Sequence, residues 1–264
     1  MQAQVGCAIR KARMDELEED GMGIVLIGLD LETSGLEPKA DRLIEIGAVV
    51  YDWDTKMPMQ ILSELIDPKM ENDEFKLPEE ITKITGITED ALGKYGGFER
   101  DVLVKLDSMI QFADYFVAHN GNLFDRPFLE EAYRRNQMVL VEKPWVDTIS
   151  DIKFPEEIKA RNLHHLGADH MTLNPFRHRA VFDVLTMFKV LECYDLNAVI
   201  ARSQEPTLFV QAVVSFAENQ KAKDFSFRWN PEQKKWWKGM KQSDFEAEKS
   251  LWQFTSRLLD GPLE

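Results

Sequence analysis

The sequence predicts an α/β fold in which helices pack on a mixed β-sheet, followed by a small appendage that contains both helix and strand. Two observations lead to this fold class. Three strand-like segments come in succession and are followed by helix, strand and helix, which is the order of a mixed sheet covered by helices. After about residue 203 the hydrophobic pattern changes, and basic residues mix with aromatic ones. We therefore expect a domain boundary near residues 200–205.

Hydrophobic periodicity predicts each element. The continuous apolar run at 24–30 is typical of a central buried strand, and we expect further strands at 43–51, 57–66, 115–118 and 208–216. Apolar residues at helical spacing indicate helices, which we expect at 77–84, 98–112, 123–135, 178–193 and 245–259. Pro78 stands where the first of these helices opens, a position that proline favours.

Composition limits the class of protein. The chain has 264 residues, of which 44% are hydrophobic, as in a globular protein of one large domain with an appendage. No apolar run approaches the roughly 18 residues that span a bilayer, and no secretory signal is visible. The two cysteines, Cys7 and Cys193, exclude a disulfide scaffold and suit a reducing cytoplasm. We expect a flexible leader at 1–22, a main domain at 23–200 and a C-terminal region at 205–264.

The net charge of −14 argues, taken alone, against a nucleic-acid partner, because an acidic surface repels phosphates. The charge is uneven, however. Residues 1–200 carry a net charge of −15, and residues 201–264 carry +1. Within 219–241, seven basic residues face two acidic ones. The acidity of the chain therefore leaves room for nucleic acid.

The first candidate site residues are Asp30 and Glu32, at the end of the first predicted strand. Side chains two apart on a strand share a face, so both carboxylates point the same way. Neighbouring buried carboxylates repel one another, and a divalent cation such as Mg²⁺ or Mn²⁺ relieves the repulsion. The alternative is a strand that emerges into solvent with acids on its exposed end.

Two further segments carry acids. Asp125 opens a predicted helix after Asn120, where an acid also favours the helix dipole. Asp183 lies among apolar residues, where an acid is costly unless it is paired or bound to a metal. His178 precedes it by five residues, which puts the two on different helix faces. We expect His178 on the segment that leads into the helix, with a structural histidine as the alternative.

The three motifs occur in one order: Asp-x-Glu-Thr-x-Gly at 30–35, Asn-x-x-x-Phe-Asp at 120–125 and His-x-x-x-x-Asp at 178–183. In this order they resemble the DEDDh branch of the DnaQ-like 3′→5′ exonucleases, over residues 24–193. Asp147-Thr148 is similar to a further landmark of that family.

The resemblance implies a ribonuclease H-like mixed sheet of five strands with helices on both faces. It also implies two divalent metal ions, Mg²⁺ or Mn²⁺, held by Asp30, Glu32, Asp125 and Asp183. His178 is then the general base, and nucleoside 5′-monophosphates leave from a 3′ end.

Matching positions of the family imply substrate contacts at Thr33, Leu36, Asn120 and Phe124. Thr33 corresponds to a contact with the terminal 3′-hydroxyl, and Leu36 to an apolar wedge against the terminal bases. Asn120 and Phe124 correspond to positions that line the cleft. For Leu36 and Phe124, ordinary core packing is the alternative.

The segment 221–238 combines basic and aromatic residues, so bases could stack on its rings while phosphates meet its cations. It is similar to a short Phe-x-Trp…Lys-x-Trp-Trp/Tyr module at the ends of some bacterial and phage DNA-processing proteins. The candidate nucleic-acid contacts are Arg228, Trp229, Lys235, Trp236 and Trp237. The alternative is that the tryptophans form the core of a small domain.

We therefore expect a metal-dependent 3′→5′ exonuclease that acts on single-stranded or frayed 3′ ends of DNA, without a membrane partner. The alternatives are an exoribonuclease of the same family, a polymerase proofreading subunit and a catalytically silent binding module. No segment identifies a polymerase partner. The acidic total predicts weak affinity for long duplexes and a preference for ends.

Overall fold

The computed structural model describes residues 23–263, so the predicted leader at 1–22 lies outside the described residues. The chain divides into two compact units; the first ends at Val199, and the second begins at Ile200.

The first unit is built on a five-stranded mixed sheet. Its strands are β1 Val25–Thr33, β2 Leu43–Asp52, β3 Met57–Leu65, β4 Tyr115–Ala118 and β5 Trp145–Asp147. They lie in the order β3-β2-β1-β4-β5. Strands β1 to β3 are antiparallel neighbours, whereas β4 pairs parallel to β1 and to β5. The predicted α/β fold with a mixed five-stranded sheet is confirmed.

Within residues 23–199, the described part of the first unit, there are six complete helices: α1 Glu79–Thr85, α2 Glu89–Tyr95, α3 Glu99–Ile110, α4 Asp125–Arg135, α5 Leu163–Asp169 and α6 Ala180–Leu191. Another helix, α7 Leu196–Ser203, crosses the boundary between the units. A 3₁₀ turn occupies Pro68–Met70. Pro78 immediately precedes α1 instead of lying inside it, and α2, α5 and β5 were not predicted.

Helices cover both faces of this sheet. Ile27, Leu29 and Leu31 of β1 join a buried cluster with α3 and α4 on one face. Alternation along the strand turns Gly28, Asp30 and Glu32 to the other face. There α6 packs on β1 and β2, and the ring of its Phe188 stacks on Tyr51 with centroids 4.4 Å apart.

The second unit is a small α+β structure. Its antiparallel sheet has the order β7-β8-β6-β9, formed by β6 Thr207–Val213, β7 Arg228–Asn230, β8 Lys235–Lys241 and β9 Thr255–Leu259. Two short helices, α8 Asn219–Asp224 and α9 Gln242–Glu248, accompany it. Its core consists of Val210, Ala212, Ala222, Phe227, Met240 and Trp252.

The prediction of a terminal helix over 245–259 is wrong. The helix α9 ends at Glu248, and the chain then forms β9, which pairs with β6. Trp252 is buried and stacks on Phe254 between the two elements, so tertiary packing overrides the helical spacing of the apolar residues. In the described part of the chain, no helix is long and apolar enough to cross a membrane.

Candidate active site

The candidate site lies where β1 leaves its neighbour β4. The parallel ladder between them ends at Gly28 opposite Val117, so the N–H of Leu31 has no strand partner on that side. The carboxylate of Asp125, at the start of α4, accepts this N–H at 3.0 Å. Asp125 is buried, and its bond to Leu31 holds it beside the two acids of β1, Asp30 and Glu32.

Two glycines let α6 approach this end of β1 closely. A Cβ atom on Gly28 would lie 2.5 Å from side-chain atoms of Val184 and Phe188, and one on Gly47 would lie 2.3 Å from the backbone of Ala180 and Val181. Gly47 is paired with Asp30 across the sheet. The first turn of α6, which carries Asp183, therefore lies directly over the acids of β1.

This close approach predicts a stability effect. The Gly47→Ala change forces the start of α6 away from β2, because backbone atoms cannot move as a flexible side chain can. We expect the free energy of unfolding to fall by about 1–3 kcal/mol. Gly93→Ala is the matched control, since a Cβ there meets nothing within 4 Å inside α2 and should stabilise by about 0.5–1 kcal/mol. Denaturant unfolding of both variants tests this; equal stability would contradict it.

Asp183 is held by the loop that precedes α6. Its Oδ2 accepts the backbone N–H of His178 at 2.8 Å, and its Oδ1 accepts the side-chain amide of Asn174 at 2.8 Å. His178 has a left-handed backbone with φ of 58°, which is uncommon for a residue other than glycine. Its ring is exposed, and one ring nitrogen lies within 4.8 Å of carboxylate oxygens of Glu32 and Asp183.

Burial and nearby acids raise the pKa values of all four carboxyls. Burial, followed by repulsion from Asp125 and Glu32, raises the pKa of Asp30 well above its ordinary value. Burial and the charges of Glu45 and Asp183 raise the pKa of Glu32 to about 8. Burial raises the pKa of Asp125 to about 8, against the bond from Leu31, and that of Asp183 to about 6. Ionising all four carboxyls together is therefore unfavourable without a cation.

The donor set fits a hard divalent cation. Among the described residues, no hydrogen bond reaches the carboxylates of Asp30 and Glu32, so their oxygens are available as ligands. Oxygen ligands of this kind suit Mg²⁺ or Mn²⁺. The remaining members of the predicted set, Asp125 and Asp183, keep lone pairs beyond their hydrogen bonds.

One buried ion pair beside the site was not predicted. Glu45 lies directly opposite Glu32 in the β1–β2 ladder and is almost fully buried. It accepts three hydrogen bonds from the guanidinium of Arg179, at 2.9, 3.1 and 3.3 Å, and a fourth from the N–H of Ala180. These bonds anchor the start of α6 to the sheet. An acid inside the apolar run 43–51 was the signal that could have revealed it.

Asp147, the landmark noted in the sequence, fixes the turn before α4, together with His119, which was not predicted. Both carboxylate oxygens of Asp147 accept backbone N–H groups, those of Asn120 and Asn122, at 3.1 Å. His119 bonds the hydroxyl of Thr148 at 2.8 Å and the carbonyl of Arg161 at 2.7 Å. Burial lowers the pKa of His119 to about 4, so its ring is neutral at physiological pH. This ring ties the segment before α5 to the site.

The predicted substrate contacts lie in different environments. Thr33 is buried, and its hydroxyl donates to the carbonyl of Gly35 at 2.5 Å. Leu36 is 78% exposed in the loop after β1. Asn120 has a left-handed backbone with φ of 71°. Phe124 packs against the core cluster of the first unit, with its ring centroid 5.0 Å from that of Phe128.

Comparison with known proteins agrees with this geometry. The sequence profile of a family described as exonuclease matches residues 27–191. The chain belongs to the exonuclease family. The resemblance to DnaQ-like 3′→5′ exonucleases of the ribonuclease H-like superfamily is thereby confirmed.

Curated relatives include the PolC-type DNA polymerases III. That of Thermotoga petrophila is 32% identical over 179 residues, which cover 66% of this chain and 12% of the polymerase. That of Mycoplasmopsis pulmonis is 29% identical, covering 72% of this chain and 14% of the polymerase. The chain thus spans only 12% to 14% of the length of these two relatives.

Solved structures share the fold. Escherichia coli exonuclease I, in a zinc-bound complex with single-stranded DNA, superposes with a TM-score of 0.60 at 17% identity, covering 75% of this chain and 50% of that one. The same enzyme with a dA16 oligonucleotide gives 0.57 at 16% identity, with coverage of 74% and 48%.

Proposed function

We propose that this exonuclease-family chain hydrolyses phosphodiester bonds one nucleotide at a time from the 3′ end of single-stranded or frayed DNA, releasing nucleoside 5′-monophosphates. The observation that carries the proposal is the convergence of Asp30, Glu32, Asp125 and Asp183 at one end of β1, with His178 beside them. The raised pKa values of these four carboxyls are typical of a site that binds cations, and bound cations could stabilise the negative charge of a phosphodiester.

The four carboxylates would hold two divalent cations, Mg²⁺ or Mn²⁺. When bound, such a pair supplies charge that stabilises both the attacking and the leaving oxygens of the phosphoryl displacement. His178 is exposed at the edge of the cluster, so its ring can accept a proton from an attacking water molecule that arrives from solvent. The bond from the His178 N–H to Asp183 positions this loop relative to the acids.

DNA is the substrate that the relatives favour. The curated relatives are DNA polymerases, and the structural matches include complexes with single-stranded DNA. An exoribonuclease of the same family is the alternative, since the carboxylate motif serves both sugars. We also propose a cytoplasmic location, because the exposed free thiol of Cys193 suits a reducing compartment.

End-labelled oligonucleotides test this function. With Mg²⁺, a 5′-labelled DNA strand should shorten stepwise, whereas a 3′-labelled strand should release labelled mononucleotide at once. RNA of the same sequence should be cut more slowly. Stepwise loss from the 5′ end, or activity that survives EDTA, would contradict the proposal, and faster cleavage of RNA would favour the exoribonuclease.

The PolC relatives favour a second candidate, proofreading during DNA synthesis. The segment of each relative that matches this chain belongs to a PolC-type DNA polymerase III. A proofreading role predicts that the chain allows an exonuclease-deficient polymerase to extend a mismatched primer end. If extension remains blocked, the proofreading role is contradicted, and hydrolysis of 3′ ends without a polymerase remains the proposed function.

The raised pKa values predict how stability depends on pH. At Glu32 and Asp125 the folded-state pKa, about 8, exceeds the unfolded values of 4.5 and 3.8. The contribution of these groups is therefore fully present below about pH 4 and is lost as pH rises through about 8. In EDTA, the melting temperature should therefore fall as the pH rises from 5 to 8.5.

Mg²⁺ should reverse this loss, and more so at pH 8.5 than at pH 5.5, because protons compete with the cation for the same oxygens. The double variant Glu32→Gln/Asp125→Asn is the control; its melting temperature should depend less on pH and should not respond to Mg²⁺. Thermal unfolding followed by circular dichroism measures both effects. An equal response to Mg²⁺ at the two pH values would contradict the account.

A further inference from the structure

The charged residues in the strands of the second unit's sheet are all basic. Its four strands, β6 to β9, contain no aspartate or glutamate, although the chain as a whole has a net charge of −14. They contain five basic residues: Arg228, Lys235, Lys238, Lys241 and Arg257. Within an acidic protein, this sheet is a local basic surface.

Strand alternation divides these residues between two faces. Val210, Ala212 and Met240 mark the face that packs into the core of the unit. We define the basic face as the opposite side of the sheet. Its exposed or partly exposed side chains include Phe209, Gln211, Arg228, Lys235, Trp237 and Arg257, whereas Lys241 lies on the same side but is buried.

The strand register aligns four of these side chains in one row. Arg228 is opposite Trp237, Trp237 is opposite Gln211, and Gln211 is opposite Arg257. With strands about 4.8 Å apart, the row is about 14 Å long and has a cation at each end. Phe209 lies beside it, its ring centroid 6.2 Å from that of Trp237. The basic face thus has two neighbouring aromatic rings between two guanidinium groups.

The charges on the basic face are available to a ligand. Arg228 and Arg257 are exposed, and within residues 23–263 neither they nor Lys235 make an ion pair. On the core face, by contrast, Lys238 is paired with Glu248 at 3.0 Å. Unpaired cations around partly exposed aromatic rings match a ligand that offers both phosphates and flat bases.

We propose that the basic face binds single-stranded DNA, with bases stacked on Trp237 and Phe209 and phosphates at Arg228, Arg257 and Lys235. The cations of the face complement the charge of a polyanion, and its two neighbouring rings can stack on unpaired bases. The choice of DNA over RNA rests on the proposed function. The remaining tryptophans of the hairpin, Trp229 and Trp236, pair with each other on the opposite face of the sheet; Trp229 is 47% exposed there, but it lies outside the basic face.

Fluorescence anisotropy with a 5′-fluorescein dT20 strand tests the proposal. The full chain carries Asp30→Asn, so that binding is read without hydrolysis and independently of the proposed exonuclease function. Adding Trp237→Ala should weaken binding by at least about 10-fold, and Trp237→Phe should restore most of it. Arg228→Ala/Arg257→Ala should reduce the slope of log K against log salt by about 1.4.

Trp229→Ala is the matched control, because Trp229 lies on the opposite face of the same hairpin; its affinity should stay within about 2-fold of the parent. Should Trp237→Ala fail to fold, the exposed arginine pair decides the question. Unchanged affinity and salt slope in the arginine variant, or a greater loss in Trp229→Ala than in Trp237→Ala, would overturn the proposal. So would equal binding of blunt duplex DNA, or tighter binding of the matching RNA.

Discussion

Replacing Asp30 with asparagine is expected to lower the rate of 3′-end hydrolysis by at least about 10³-fold. The carboxylate lies at the centre of the cluster, where Asp125, Glu32 and Asp183 all raise its pKa. If Asp30 is a ligand of the proposed cation pair, its loss removes several kcal/mol of transition-state stabilisation. Quenched-flow or gel assays of a labelled strand at saturating Mg²⁺ measure the effect.

The same change should leave the metal-free fold as stable as before, or more stable. Asparagine removes a buried acid that its neighbours repel, so the melting temperature in EDTA should not fall. Asp90→Asn, at an exposed position in α2, is the control for both readouts and should match the unmodified chain. If Asp30→Asn kept the full hydrolysis rate, the proposed role of the four carboxylates in catalysis would be contradicted.

Replacing His178 with glycine is expected to lower the turnover rate by about 10²- to 10⁴-fold, because the attacking water loses its proton acceptor. Affinity for Mn²⁺ should change far less, since the four carboxylates remain. Glycine also relieves the left-handed backbone at φ 58°, so stability should hold or rise. Added imidazole should restore part of the rate in His178→Gly but not in Asp30→Asn.

Met171→Gly is the matched control for the backbone change. Met171 also has a left-handed backbone, with φ of 56°, and is 93% exposed. Its replacement should relieve the same strain while leaving the hydrolysis rate unchanged. If His178→Gly kept the unmodified rate, or lost only as much as Met171→Gly, the ring of His178 would not act as a base.

Strands β1 and β2 were predictable because they are long, largely apolar and bounded by turns, whereas the three-residue β5 was not predicted. The predicted strands 43–51 and 57–66 differ from β2 and β3 by a single residue at the C-terminal end. The four acids were singled out by the order of the three motifs and their resemblance to an exonuclease family, and their role as metal ligands stays a prediction.

The features that could not be predicted from the sequence depend on contacts between residues far apart in the chain. Glu45 pairs with Arg179, 134 residues away, and His119 bonds Arg161, 42 residues away. Neither partner is visible from local spacing. The helix predicted over 245–259 failed for the same reason, because β9 forms only by pairing with β6. The division of the tryptophans between two faces likewise required the strand register.

Crystals soaked with Mn²⁺ and a nucleoside 5′-monophosphate give the most direct test of the central claim, that four carboxylates hold a catalytic cation pair. We expect two anomalous peaks about 4 Å apart among Asp30, Glu32, Asp125 and Asp183, with the phosphate beside them and the ring of His178 facing it. Manganese bound elsewhere, with no peak in ligation distance of Asp30, would contradict it.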